Sequence, residues 1–65
     1  MSTLGQKLFD LYVYDSADGE IVGVDPHYSE EDYPIAARRW NDKGFMVRVV
    51  DNRDYAVVLV TRPGQ

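Results

Sequence analysis

Residues 45–61 constrain the fold most, because they have the pattern of two strands joined by a tight turn. Segments 45–50 and 55–61 are rich in β-branched and aromatic residues, which favour strands. Residues 51–54 between them, Asp-Asn-Arg-Asp, are turn formers. The pattern predicts a β-hairpin with a four-residue turn in which Val50 faces Tyr55.

Side chains alternate across a strand, so this predicted register defines two faces of the hairpin. One face is purely apolar and is expected to be buried: Phe45, Val47, Val49, Ala56, Val58 and Val60. The other face is mixed: Met46, Arg48, Val50, Tyr55, Val57, Leu59 and Thr61.

Residues 7–25 give the same pattern a second time. Residues 15–19 form a turn, in which Gly19 can supply the positive φ of a bulged loop. Pairing Tyr14 with Ile21 again predicts one apolar face: Phe9, Leu11, Val13, Val22 and Val24. The opposite face is mixed: Asp10, Tyr12, Tyr14, Ile21 and Gly23. No internal repeat is visible in the sequence.

A single helix separates the two hairpins. We expect one tight turn at 29–32 and a helix from Tyr33, capped by Asp32 and ended by a left-handed Gly44. One face of this helix is apolar at helical spacing: Tyr33, Ala36, Ala37 and Trp40. The element order ββαββ predicts an α+β fold, in which the helix packs on one face of a four-stranded antiparallel sheet of order 2-1-3-4.

Length and composition limit the possibilities further. Sixty-five residues make one small domain, residues 1–65, with flexible tails at 1–6 and 62–65. The absence of cysteine excludes disulfides and thiolate zinc sites. No apolar run could span a membrane. The N-terminus lacks the basic and apolar regions of a signal peptide, so we expect a cytoplasmic protein.

The sequence offers no catalytic motif. The chain has one histidine and no cysteine, no serine lies in a strand-to-helix elbow, and the five glycines are too scattered for a phosphate-binding loop. The acidic stretch 25–32 matches neither a calcium loop nor a zinc site, and is typical of a solvated loop before a helix. We therefore expect no enzyme activity, no cofactor and no bound metal.

The mixed sheet face is the candidate site. A contiguous exposed face rich in Tyr, Met, Arg and aliphatic residues is typical of a protein interface. We expect Arg48 at its centre, and the partner to be a foreign protein or a second copy of the chain in a homodimer. The predicted interface residues are Tyr12, Tyr14, Met46, Arg48, Tyr55 and Val57.

The sequence is thus interpreted as a small, acidic, non-enzymatic module that binds protein. Its net charge of −4, size and lack of catalytic residues resemble, in general character and without a shared motif, those of phage-encoded inhibitors such as anti-CRISPR proteins. The resemblance implies an inhibitor or adaptor of a larger protein.

Two alternatives stay open. One is a subunit of an enzyme whose active site lies elsewhere. The other is a nucleic-acid-binding regulator that contacts phosphates through Arg38, Arg39, Lys43 and Arg53. The acidic balance of the chain makes nucleic acid the less expected partner, because domains that bind it are usually basic overall.

Overall fold

A computed structural model describes residues 8–64, so Gln65 and the predicted tail at 1–6 lie outside the described residues. It contains five elements: β1 (Phe9–Asp15), β2 (Ile21–Tyr28), α1 (Tyr33–Asp42), β3 (Phe45–Asp51) and β4 (Val57–Thr61). The strands form one antiparallel sheet in the order β2-β1-β3-β4. The predicted α+β fold and its strand order are confirmed. Helix α1, with ten residues, is too short to cross a bilayer, and no other helix occurs in residues 8–64.

The helix begins after the expected turn. The N–H groups of Asp32 and Tyr33 both donate to the carbonyl oxygen of Ser29, at 3.1 and 3.0 Å. Asp32 precedes the helix as predicted, but its side chain accepts no capping bond. Its φ of −96° and ψ of −26° are already helical, whereas a side-chain cap needs an extended residue. Gly44 follows the helix with φ +96°, as expected for a left-handed cap.

The helix packs on the sheet through the predicted face. Ala36 and Ala37 are buried, and their small side chains allow the helix to lie close to the strands. The rings of Phe9 and Tyr33 lie 4.6 Å apart at one end of the helix. At the other end, Trp40 meets Phe45 edge-on at 5.7 Å. The buried cluster consists of Phe9, Leu11, Ala36, Ala37, Val47 and Val49.

The loops of the two hairpins have the same geometry. In the first, the N–H of Gly19 donates to the carbonyl oxygen of Asp15 at 2.8 Å; in the second, that of Tyr55 donates to Asp51 at 2.8 Å. Both aspartate side chains accept a bond from the N–H two residues later, at 2.8 and 2.9 Å. Gly19 and Tyr55 are both left-handed, with φ +75° and +61°. The hairpins therefore repeat each other in structure. The sequence carries a weak repeat that was not recognised above, since residues 9–24 and 45–60 are identical at six of sixteen positions.

The predicted register of the second hairpin is wrong in two ways. The loop extends to Ala56, so Val50 does not face Tyr55, and β4 then contains a bulge. Val50 pairs with Val57, and Val49 pairs with Leu59, so Val58 is an extra residue without a partner on β3. Beyond the bulge the strand changes phase, because one inserted residue turns every following side chain to the other face. Leu59 therefore lies on the helix side, where Val60 was predicted. Val60, 44% exposed, lies on the opposite side.

Three further residues of the second hairpin differ from their predicted places. Thr61 pairs with Val47 on the helix side rather than lying on the mixed face. Ala56 belongs to the loop, where its carbonyl oxygen accepts the N–H of Asp51 at 2.9 Å. Val58, at the bulge, is 45% exposed.

The first hairpin has a bulge at the equivalent position. Tyr14 pairs with Ile21 as predicted, but Val13 then pairs with Gly23, so Val22 is the extra residue. Val24 pairs with Tyr12 instead of packing beside Leu11. The predicted burial of Val22 and Val24 is wrong, since their exposed fractions are 53% and 50%.

The β1–β3 pairing makes the sheet nearly twofold symmetric. Equivalent residues of the two hairpins are thirty-six positions apart, as Asp15 and Asp51 show. In the register, Tyr12 pairs with its own equivalent, Arg48. An approximate twofold axis perpendicular to the sheet therefore passes between these two residues, and the helix on one face breaks the symmetry.

Candidate functional site

The sheet face opposite α1, called here the open face, carries no helix within residues 8–64. Its centre is the cross-strand pair Tyr12 and Arg48, which lies on the approximate twofold axis. Cross-strand neighbours share a face, so the register extends this central row to Val24 on β2 and Val60 on β4. Each of these valines is about half exposed, at 50% and 44%. The open face therefore has a polar and aromatic centre between apolar edges.

A shallow cavity of about 190 Å³ lies on this face. Its lining residues are Tyr12, Tyr14, Arg48, Val50, Tyr55 and Val57. β1 supplies two tyrosines, β3 supplies the arginine and a buried valine, and β4 with the loop before it supplies the rest. The lining contains one cation, three phenol groups and no carboxylate.

Arg48 is the only charged group in the cavity lining. Its guanidinium carbon lies 5.3 Å from the ring centroid of Tyr14, a cation–π contact. Within residues 8–64 the one salt bridge joins Arg53 to Asp51, so Arg48 has no carboxylate partner there. A guanidinium carries five donors in a planar fork that suits carboxylates and phosphates. Those donors are available for a ligand.

The acid closest in register to the cavity is Asp10, which pairs with Val50. Its Oδ1 accepts a hydrogen bond from the backbone N–H of His27 on β2, at 3.2 Å. The carboxylate is thus used on the β2 side of β1, whereas the cavity extends from β1 toward β4. Asp10 therefore forms no salt bridge with Arg48.

Tyr55 is held in a conformation that tyrosine disfavours. A left-handed backbone costs about 1–2 kcal/mol for a residue with a Cβ atom, and the equivalent position in the first loop is a glycine. Tyr55 is also 69% exposed, so burial of its ring does not offset this cost. Backbone strain at an exposed residue is a common feature of binding sites. Here it presents an aromatic ring at the edge of the cavity.

The structure brings together five of the six predicted interface residues: Tyr12, Tyr14, Arg48, Tyr55 and Val57 all line the cavity. Met46 pairs with Tyr14 and so lies on the same face. It lines a separate hollow of about 290 Å³ together with Gly19, Arg62 and Pro63. Part of the segment predicted as a C-terminal tail thus lies against the first hairpin.

The residues of the alternative nucleic-acid site are more scattered. Arg38, Arg39 and Lys43 are exposed on or just after α1, and the ammonium of Lys43 lies 5.1 Å from the ring centroid of Trp40. Arg53 lies in the loop after β3, with its Nε 3.5 Å from Asp51. The length of β3, about 20 Å, separates it from Lys43, which lies just before that strand. These four cations do not form one patch.

A second polar group lies between the helix and β2. Asp25 accepts hydrogen bonds at Oδ2 from the Tyr28 hydroxyl at 2.8 Å and from Trp40 Nε1 at 3.0 Å. The hydrogen bond to Asp25 raises the pKa of Tyr28 above its ordinary value of 10.0, and burial adds to this effect. Only the Trp40 bond joins the helix to the sheet, because Tyr28 and Asp25 both belong to β2. Within residues 8–64 no group of acidic or imidazole side chains is arranged to hold a metal ion.

The sequence reasoning missed Val24 and Val60 as members of the open face. The sequence signal for them was the weak similarity of residues 9–24 to residues 45–60, which includes Asp-x-x-Asp at 15–18 and 51–54 and places the two bulges at equivalent positions. The predicted register also placed Leu59 on the open face, whereas Leu59 packs against the buried cluster.

Comparisons of the chain with known protein families, with curated protein sequences and with solved structures find no match. The open face is therefore interpreted from its own chemistry.

Proposed function

We propose that this protein is a non-enzymatic module that binds another protein through the open face, as an inhibitor or adaptor of a larger target. The observation that carries the proposal is an aromatic and cationic centre with half-exposed aliphatic residues on both sides. Exposed apolar patches that surround such a centre mark interaction surfaces. Tyr and Arg are also enriched at the centres of interfaces, where their truncation is most costly.

The composition of the cavity supports binding rather than catalysis. Its lining contains only tyrosine, arginine and valine. Covalent catalysis usually needs a nucleophile such as serine or cysteine next to a base such as histidine or a carboxylate, and the lining offers no such pair. A cavity of about 190 Å³ is also smaller than the roughly 300–1,000 Å³ typical of sites for small ligands and cofactors.

The test compares two open-face variants with one control. Tyr12→Glu and Val57→Glu introduce a charge at the centre and at the edge of the face, and Arg38→Glu changes an exposed residue of α1 on the other side of the sheet. Each immobilised variant is used to capture proteins from the native host, and captured proteins are quantified by mass spectrometry. We expect a partner that is retained by the wild type and by Arg38→Glu and is lost by both open-face variants.

The purified partner is then titrated against each variant. An interface anchor contributes about 2 kcal/mol or more, so affinity for the open-face variants should fall at least roughly thirtyfold. Sedimentation and thermal melts of the isolated proteins identify self-association: a dimeric wild type whose open-face variants are monomeric and less stable would assign the face to a second copy. Wild-type mass, stability and partner binding in both variants would contradict the proposal.

A further inference from the structure

We infer that the cavity on the open face receives a carboxylate side chain of the partner protein, with Arg48 as its counter-ion and an aliphatic residue of the partner beside it. The inference rests on the proposed function and names the chemistry of the contact. It follows from three properties of the cavity: its uncompensated cation, its size and its apolar surroundings.

The uncompensated cation points to an anion. Arg48 has no carboxylate partner within residues 8–64, and the tyrosine hydroxyls of the cavity form no hydrogen bonds there. The contact with Tyr14 is a cation–π contact at 5.3 Å, and within residues 8–64 the five N–H donors of Arg48 form no hydrogen bond. Arginine binds a carboxylate through two parallel hydrogen bonds, and the phenol hydroxyls can donate further ones. A bound carboxylate would therefore satisfy donors that have no partner among residues 8–64.

The number of cations distinguishes a carboxylate from a phosphate. Sites for phosphorylated peptides use clusters of arginines, because a phosphate carries nearly two charges. Here Arg48 is alone in the cavity, and Arg53, in the neighbouring loop, is already 3.5 Å from Asp51. One cation matches one carboxylate.

The size and border of the cavity define the rest of the contact. A volume of about 190 Å³ accommodates one side chain rather than a cofactor. Val57 and Val60 lie on the β4 side of the face, and their exposed fractions are 50% and 44%. An aliphatic residue adjacent to the acid would cover these valines and exclude water from the ion pair, which strengthens it. The fitting segment is therefore an acidic residue next to a leucine, isoleucine or valine.

The experiment uses two neutral-ended dipeptides as probes. N-acetyl-Glu-Leu-amide and its uncharged isostere N-acetyl-Gln-Leu-amide are titrated into ¹⁵N-labelled protein, and chemical shifts are followed by NMR. We expect the shifts to centre on Arg48, Tyr12 and Tyr55, and the Glu peptide to bind about tenfold more tightly, as a charge-assisted pair requires.

Matched arginine variants provide the control. Arg48→Gln should bind both dipeptides equally, whereas Arg38→Gln, which changes an exposed arginine on the helix, should keep the preference for the Glu peptide. Equal affinities in the wild type, shifts outside the cavity, or a preference that persists in Arg48→Gln would overturn the inference. So would inorganic phosphate displacing the Glu peptide more effectively than acetate at equal ionic strength.

The two proposals can fail separately. If the dipeptides show no preference while Tyr12→Glu and Val57→Glu still lose their protein partner, the carboxylate contact is wrong and the protein-binding face stands. If the preference is present but both open-face variants retain every captured partner, the cavity binds carboxylates and the face does not serve as the protein interface.

Discussion

Gly19 and Tyr55 occupy equivalent positions in two loops of identical hydrogen bonding, and both are left-handed, with φ +75° and +61°. The first loop uses the residue that adopts this conformation at least cost, and the second uses a bulky aromatic residue. Gly19 therefore serves as an internal reference for the backbone strain at Tyr55.

Substitutions at these two positions should change stability in opposite directions. Tyr55→Gly relieves the left-handed strain and should stabilise the fold by up to about 1 kcal/mol, after the greater freedom of glycine in the unfolded chain is subtracted. For a domain of this size, each kcal/mol of stabilisation raises the melting temperature by roughly 4–8 °C. The check is a thermal melt together with urea denaturation.

Gly19→Ala is the matched control. A Cβ atom at Gly19 would meet no atom within 4 Å, so any effect comes from the backbone conformation alone. We expect a loss of about 1 kcal/mol. If Tyr55→Gly lowers stability instead, the tyrosine ring contributes to the fold and its strain is not maintained for binding.

The bulge in β4 predicts different effects at two adjacent residues. Leu59 packs against the buried cluster, so Leu59→Ala should lower the free energy of unfolding by about 2–3 kcal/mol. Val60 is 44% exposed on the open face, so Val60→Ala should change it by less than about 0.5 kcal/mol. Urea denaturation measures both. The reverse order of effects would place Val60 on the helix side and remove the bulge.

Trp40 fixes α1 on the sheet by packing and by one hydrogen bond. Trp40→Ala removes the ring that meets Phe45 and should cost about 3 kcal/mol, which is most of the stability that a core of this size supplies. Trp40→Phe keeps a ring but removes the Nε1 donor to Asp25, and should cost about 1–2 kcal/mol. Far-ultraviolet circular dichroism during denaturation measures the stability of both variants and of the wild type. A melting temperature for Trp40→Ala within a few degrees of wild type would contradict this role.

The Tyr28–Asp25 hydrogen bond makes stability depend on alkaline pH. The pKa of Tyr28 is raised in the folded state, chiefly because its hydroxyl donates to Asp25. A raised pKa contributes stability that is fully present below the unfolded pKa of about 10 and is lost as pH rises through the folded value. The wild type should therefore lose its stability advantage over Tyr28→Phe above about pH 10. Urea denaturation at neutral and alkaline pH tests this; a constant difference between the two proteins would contradict it.

Local patterns in the sequence determined most of the secondary structure, although residues 25–28, which were expected in a solvated loop, continue β2. Turn formers at 15–19, the helical spacing of Tyr33, Ala36, Ala37 and Trp40, and Gly44 after the helix each act over a few residues, so they can be read without tertiary contacts. The inner strands could also be assigned to faces, because Asp10 and Arg48 interrupt their apolar runs and fix the phase.

Tertiary structure alone decided the phase of the edge strands. In Val57-Val58-Leu59-Val60 every residue is apolar, so the alternation that assigns faces carries no information there. The same is true of Ile21-Val22-Gly23-Val24, apart from its glycine. Each bulge follows a loop with the same hydrogen bonds, and after the β4 bulge Leu59 packs against the buried cluster while Val60 is exposed.

The candidate site shows the same division. The sequence by itself placed Tyr12, Tyr14 and Arg48 on the face opposite the helix, because polar and aromatic residues alternate with apolar ones in β1 and β3. It could not reveal that Tyr55 is left-handed, that Arg48 lies over Tyr14 with no carboxylate partner among residues 8–64, or that Val24 and Val60 border the face. Those properties depend on how strands distant in sequence align, and alignment is fixed only when the loops, the bulges and the helix are satisfied together.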